Sequence, residues 1–333
     1  MSHSTVKGSL TLFALLAAAL LTACGQQSQT EAFTSAEPGA SETGSATGLA
    51  EAAQSEDVRA FSIGKFSATA LRDGGIDVPN DNKVIGVGRT PEEVAELLAA
   101  AGLPTDTLHL SIQPLAVKAG DRTLLFDSGA GSAFGESAGH LPASMAAAGI
   151  DPASVTDVFI SHAHGDHLGG LVNAQGALAF PNATIHISAP DWAFLKAMKA
   201  ENAANFGIAQ YDALIAAMTP KVAAFEPGAD IIPGVVKAVE IRGHTPGHSG
   251  YMITSGEASL LYMGDAMHHS VVSVQRPDWT IQFDGDAPTA QASRKALLAR
   301  SAESGQRIYA VHFPFPGVGT FERRGDEFVW VAE

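Results

Sequence analysis

The chain reads as an α/β protein built on mixed sheets, and three observations predict it. Apolar strand-like runs alternate with helical stretches from about Arg59 to the C-terminus. Hairpin-type pairs interrupt that alternation, which a purely parallel sheet would not contain. The roughly 275 residues beyond Arg59 suffice for one large α/β domain, and no second linker divides them.

The elements follow in order. "FSATALRDGGIDV" (66–78) and "LHLSIQPLAVKAGDRTLLFDSG" (108–129) are β-type, and the second predicts a hairpin turning at Gly120-Asp121. "TPEEVAELLAAAG" (90–102) predicts a helix with Thr90 as N-cap, Pro91 in the first turn and Gly102 as the stop. "VTDVFIS" (155–161) is a short apolar strand that runs straight into a histidine cluster. "APDWAFLKAMKAEN" (189–202) is helical. "ASLLYMGD" (258–265) is a strand ending in an acid, and "RIYAVHFPF" (307–315) carries a histidine near its end. A helix, "TAQASRKALLARSAESG" (289–305), lies between them, and the chain closes on a β-type "TFERRGDEFVWVAE".

The N-terminus has a different character. Residues 1–24 place Lys7 ahead of an apolar run from Leu10 to Ala23, too short for a stable membrane span, so the segment reads as an export signal. It ends in "LTAC", which resembles a bacterial lipobox, with Cys24 as the lipidated residue. Residues 25–58 are rich in Ser, Thr, Gly, Ala and Glu and poor in large apolar side chains, so they are expected to form a disordered tether. The folded domain is then expected over 59–333. The expectation is an exported protein, lipid-anchored to an envelope membrane and facing the periplasm or the exterior.

Composition narrows the chemistry. Cys24 is the only cysteine, which excludes an intramolecular disulfide, thiolate metal ligands and a cysteine nucleophile in the folded part. Removing the signal leaves 19 basic against 35 acidic residues. That balance argues against a nucleic-acid partner and mildly against polyanionic substrates. A small-molecule substrate is expected, and a homodimer is compatible with the sequence.

The chemistry-bearing stretch is "SHAHGDHLGGL" (161–171). Imidazole and carboxylate are natural ligands of zinc and similar divalent ions. Residues 162, 164 and 166 share a direction while the chain is extended, and His167 then points elsewhere, so two metal positions are expected. "RGHTPGHSGY" adds His244 and His248, "LLYMGDAMHHS" adds Asp265, His268 and His269, and "YAVHFPFPG" adds His312. The "LGGL" after the cluster is expected to open a helix.

Taken together, His-x-His-x-Asp-His, the "GHTPGH" turn, "GD" after an apolar strand and a late histidine resemble the metallo-β-lactamase fold superfamily from about residue 60 onward. The C-terminal "GDAMHHSVVSVQRPDWTIQFDGD" and "AVHFPFPGVG" look most like its methyl parathion hydrolase group. The resemblance implies a four-layer αβ/βα sandwich with the site at one edge. It implies that His162, His164 and His248 hold one divalent ion, Asp166, His167 and His312 a second, and that Asp265 bridges them, with zinc the first expectation. His244 is expected to be structural. Asp127 is expected to orient the metal-binding histidines. The implied chemistry is hydrolysis of an uncharged ester-type substrate (a lactone, an aryl ester or a phosphotriester) by a metal-bridging hydroxide. Asp166 is expected to take up the proton and His268 to assist the leaving group.

The remaining residues complete the expectations. Phe134, Trp192 and Phe313 are candidate pocket aromatics. His109 and His186 are read as packing or surface residues, His140 as a helix cap or brace, and His269 as a surface or supporting residue. The alternatives are a glutathione-thioester hydrolase, a mononuclear-iron sulfur oxygenase, or a catalytically inactive lipid-anchored metal-binding protein.

Overall fold

The computed structural model describes residues 55–333. The signal, Cys24 and the tether up to residue 54 lie outside the described residues. Val58, expected in the tether, is fully buried and opens the first strand.

The first half of the domain contains β1 (Val58–Ile63), β2 (Phe66–Leu71), β3 (Gly74–Pro79), β4 (Ile85–Val87), α1 (Pro91–Ala100), β5 (Thr107–Ile112), β6 (Leu115–Ala119), β7 (Arg122–Phe126), α2 (Leu141–Ala147), β8 (Asp157–Phe159), α3 (Gly165–Leu168), β9 (Thr184–Ser188), α4 (Ala189–Ala197), α5 (Tyr211–Met218) and β10 (Val222–Phe225). The second contains β11 (Asp230–Ile232), β12 (Val236–Glu240), β13 (Ser249–Ser255), β14 (Ala258–Tyr262), α6 (Val272–Gln275), β15 (Thr280–Ile281), α7 (Ala287–Ser304), β16 (Ile308–Tyr309), β17 (Val318–Arg324) and β18 (Glu327–Ala332). The local cap and turn signals are met in the structure. Thr90 closes a capping box with Glu93, Pro91 opens α1, and Gly102 follows it at φ +71°. The β6–β7 hairpin turns at Gly120-Asp121, with Ala119 opposite Arg122.

Two seven-stranded sheets form, ordered β1-β2-β6-β7-β8-β9-β10 and β11-β12-β13-β14-β16-β17-β18. Both are mixed: β7 to β10 run parallel, as do β14 and β16, and the remaining pairs are antiparallel. The two-residue period of a strand decides what each layer contains. In β8, Val158 faces a helix-covered core with Met145 of α2, Ile185 of β9 and Leu195 of α4. Its neighbour Phe159 faces the other way, into the space between the sheets, with Phe126, Tyr251, Tyr262 and Tyr309. On the far face of the second sheet, Leu297 and Leu298 of α7 pack with Leu261, Ile308 and Phe321. Helix, sheet, sheet, helix is a four-layer αβ/βα sandwich.

The core between the sheets is aromatic but not purely apolar. Each buried tyrosine hydroxyl finds an acceptor: Tyr251 on the Ile160 carbonyl, Tyr262 on Asp127, Tyr309 on the Gln113 carbonyl. These bonds fasten the strand ends from which the site is built. Asp127 follows β7, the histidine cluster follows β8, His244 and His248 lie between β12 and β13, Asp265 follows β14 and His312 follows β16.

Candidate metal centre

The loop after β8 turns sharply because Gly165 allows it. A side-chain carbon at Gly165 would sit 1.8 Å from the Gly207 carbonyl oxygen, so only glycine fits. The turn enters α3 at Gly165, inside the motif, whereas the sequence placed the helix start after it. Asp166 and His167 are therefore in the first helical turn, with the His167 ring centroid 4.1 Å from that of His162.

A second tie sets this loop against the loop from 243 to 248. Asp191 of α4, fully buried, accepts hydrogen bonds from the Ala163 N–H at 3.1 Å, the Thr245 hydroxyl at 2.8 Å and the Gly247 N–H at 2.7 Å. Burial raises its pKa to about 6 despite those three donors. Nothing in the local sequence marks Asp191, because its partners are distant in the chain.

Two clusters of donor atoms result. His162, His164, His244 and Asp265 form one, and Asp166, His167 and His312 form the other, each with its donor atoms within 4.8 Å of one another. In the first, His162 Nε2 lies 3.1 Å from His164 Nδ1, and His244 Nε2 lies 3.2 and 3.0 Å from those two atoms. Ligands held about 2.0–2.2 Å from a tetrahedral zinc are spaced roughly 3.3–3.6 Å apart, close to what is seen.

The hydrogen bonds fix the ring tautomers. Ser161 Oγ donates to Asp127 Oδ2 at 2.7 Å and so accepts from His162 Nδ1–H at 3.0 Å. His244 Nδ1–H donates to Asp284 Oδ1 at 3.1 Å. In the neutral rings both Nε2 atoms then carry bare lone pairs that face each other, an arrangement that a cation between them reconciles. Burial keeps these rings neutral. It lowers the pKa of His164 to about 4 and of His244 to about 3, and holds His162 well below its ordinary value.

The second cluster is built by the same logic. His167 Nδ1–H donates to Asp127 Oδ2 at 2.7 Å, and His312 Nδ1–H donates to the Ser111 carbonyl at 2.7 Å. Their Nε2 atoms meet Asp265 Oδ1 at 3.2 and 3.1 Å. Asp265 Oδ2 meanwhile lies 3.4 Å from His244 Nε2 and 3.7 Å from His162 Nε2, so one carboxylate faces both clusters. His167 Nε2 and Asp265 Oδ1 are buried without a hydrogen-bond partner, the mark of atoms directed at a metal. Burial would lower the pKa values of His167 and His312, but the Asp265 and Asp166 carboxylates outweigh it and raise both. A bound cation would take the place of those protons.

Several expectations change. His248 is not in either cluster. Its Nδ1–H donates to the Ile241 carbonyl at 2.8 Å and its Nε2 accepts the Asp265 N–H at 2.8 Å, so both ring nitrogens are occupied by the protein. His244, expected to be structural, stands where His248 was placed. His248 instead holds the backbone of Asp265. Asp127, at φ +56°, turns its carboxylate inward, where it also accepts from the Ser161 N–H and the Tyr262 hydroxyl. His269 Nδ1 accepts from the N–H groups of Val271 and Val272 and caps α6. His140 stands at the start of α2 without a side-chain cap bond, its ring on the Glu136 carbonyl.

A cavity of about 530 Å³ opens above the two clusters. His164, Asp166, Asp265, His268 and His312 line its polar floor, and Ile76, Leu110, Phe134, Phe206 and Phe283 its apolar walls. Phe134 is thus at the cavity, but Trp192 and Phe313 are not. Trp192 packs on the helix-side core under the Lys196 ammonium, and Phe313 is fully buried between Phe321 and Trp330. Sequence reading missed Ile76, Leu110 and Phe206 because ordinary apolar residues carry no mark of which cavity they face. His268 lines the cavity with no hydrogen bond at either ring nitrogen, its Nε2 3.2 Å from Asp265 Oδ2 and its ring 5.6 Å from that of Phe283.

A two-sheet α/β sandwich with paired histidine–aspartate clusters at one edge is the build of a metal-dependent hydrolase. The chain belongs to the metallo-beta-lactamase superfamily, whose profile matches residues 114–312, a span that holds both clusters. It is similar to the solved structure of AidC, a dizinc quorum-quenching lactonase in complex with a product. Identity is 29%, coverage 83% of this chain and 97% of that one, and the TM-score 0.77. It is also similar to AbOPH, a hydrolase in the beta lactamase superfamily, at 28% identity, with 84% and 99% coverage and a TM-score of 0.75. A Ribonuclease Z from Salinibacter ruber is 37% identical over 79 residues, 24% of this chain. The match spans 21% of that relative's length.

Proposed function

We propose that this chain is a dimetal hydrolase that cleaves a lactone, an aryl ester or a phosphotriester. The observation that carries the reading is the cavity: two clusters sharing Asp265 form its floor, its walls are apolar, and among the described residues none that lines it is lysine or arginine. A neutral, partly apolar substrate fits such walls, whereas a glutathione thioester brings carboxylates that call for cationic partners. The likeness to a lactonase supports the same class.

His162, His164 and His244 would hold one divalent ion, Asp166, His167 and His312 the other, and Asp265 both. Zinc is the first choice for this donor set. Such a pair of ions supplies a Lewis acid for the substrate oxygen and lowers the pKa of water toward neutrality. The chain's residues do the rest. Without metal, burial raises the Asp166 pKa, but charged His167 and His312 more than reverse this and hold it below the ordinary range. As a metal ligand the carboxylate would likewise stay ionised and be a weak proton acceptor. Proton delivery to the leaving group then falls to His268, a cavity histidine whose ring nitrogens make no hydrogen bond and whose Nε2 lies 3.2 Å from Asp265 Oδ2. Phe134, Phe206 and Phe283 exclude water around the apolar arm.

The test is zinc-replete protein assayed on a panel of lactones, aryl esters, phosphotriesters and S-acyl glutathiones. Turnover of the neutral esters is expected to exceed that of the glutathione thioesters. Preference for the thioesters, or one iron per chain with oxygen uptake on a persulfide, would overturn the reading. Turnover of nothing by metal-replete protein would favour the non-enzymatic alternative. An exported chain lipid-anchored through Cys24 is part of the same proposal.

A further inference from the structure

Arg294 is the largest fully buried side chain in the described residues, and it is charged. It lies on α7, outside the cavity lining, and the hydrolytic reading makes no use of it. Its Nη2 donates to Asp284 Oδ2 at 2.8 Å, with side-chain exposures of 1% and 0% for the pair. The other carboxylate oxygen of Asp284 accepts the His244 Nδ1–H. Arg294 Nε donates to the Ala266 carbonyl at 2.8 Å, next to Asp265, and Nη1 to the Pro277 carbonyl at 3.1 Å. The backbone repeats the link: the N–H groups of Gly285 and Asp286 donate to the carbonyls of His244 and Gly243. Gly243, at φ +115°, lies so close to α7 that a side-chain carbon there would sit 2.1 Å from the Ala290 nitrogen.

We infer that Asp284 and Arg294 are a positioning pair that sets metal affinity at the His162/His164/His244 position and not at the other. The inference rests on the dimetal reading above. A buried carboxylate that accepts Nδ1–H fixes the ring tautomer, aims Nε2 and makes it a stronger donor. A carboxylate buried alone would itself be costly, and Arg294 supplies the opposite charge and holds Oδ2, which leaves Oδ1 for the His244 ring. The second cluster has separate supports, Asp127 for His167 and the Ser111 carbonyl for His312. Each position therefore has its own orienting groups.

Asp284→Asn isolates the effect. It keeps size and shape, but its amide nitrogen faces either an arginine N–H or the His244 Nδ1. Facing the ring, it reverses the tautomer and puts a proton on the nitrogen that should bind metal. The experiment is zinc titration of the full-length chain against a chromophoric chelator, in two backgrounds. His312→Ala leaves the first position as the better site, and His164→Ala leaves the second. Asp284→Asn is expected to weaken zinc binding 10- to 100-fold in the His312→Ala background and to leave the His164→Ala background unchanged. Arg294→Lys, which keeps the buried charge but loses the fork, is the second variant should Asp284→Asn fail to fold, and the same one-sided pattern is expected. The thermal midpoint of each metal-free variant separates lost affinity from lost folding. Equal weakening in both backgrounds, or in neither, would overturn the inference. Wild-type chain that binds no zinc would overturn the dimetal reading itself, and with it this one.

Discussion

At the scale of single residues, the sharpest contrast is between His244 and His248. They stand four apart in one turn, both flanked by glycine and polar residues, and nothing local separates a ring aimed at a metal from one aimed at backbone. The difference is made by partners far along the chain: Asp284 fixes His244, whereas the Ile241 carbonyl and the Asp265 N–H occupy both nitrogens of His248. His244→Ala is expected to retain about one zinc per chain. His248→Ala should keep both positions but lose about 1–3 kcal/mol of stability, because two buried backbone groups lose their partner. Zinc content by elemental analysis, with thermal melts, separates the two, and the reverse pattern would return His248 to the ligand set. His268→Ala is expected to keep full metal content and lower kcat by about 10²–10⁴. An unchanged kcat would remove His268 from the chemistry. The motif from His162 to His167 was legible because its residue types are rare at that spacing. The apolar cavity walls were not, since a phenylalanine on the core side looks the same in sequence as one on the cavity side. Phe134 and Phe313 illustrate this.

At the scale of elements, caps and turns were readable because their rules are local. Thr90, Pro91 and Gly120 each did what a few neighbouring residues dictate. The start of α3 was not, because Gly165 is needed there for its approach to Gly207, a contact made across the fold. α6 offers a pH test. Its cap is His269, whose Nδ1 must be unprotonated to accept from Val271 and Val272. Burial, with His109 nearby, holds the His269 pKa at about 4 against an ordinary 6.5. The unfolded chain therefore takes up this proton near pH 6.5 and the folded protein only near 4. The contribution to stability is full above pH 6.5 and is lost as pH falls to about 4. His269→Asn keeps an acceptor that does not titrate. Between pH 7 and 4 the thermal midpoint of the wild type is expected to fall relative to the variant, and a constant gap would exclude this role.

At the scale of the molecule, the α/β class and the mixed sheets followed from alternation broken by hairpins. The order of strands did not. β14 pairs with β16 across the whole of α7, and that neighbour relation is set by packing of the helix onto the sheet, not by spacing in the chain. The anchor expectation belongs to this scale too. Cys24→Ser is expected to move the protein from the membrane to the soluble fraction in a fractionation blot. Retention with the membrane would require another anchor.

The shared carboxylate has one more consequence. His162, His164 and His167 follow a strand of the first sheet, whereas Asp265 and His312 follow strands of the second. Metal bound between them, as proposed, would be a clasp joining two halves of the fold at one edge. Stability then varies with the free metal around the protein, by about 2.7 kcal/mol when that concentration is a hundred times the dissociation constant. In metal-poor surroundings the same chain would be a looser object and a better protease substrate, so the survival of the protein, and not only its turnover, would become a measure of metal supply.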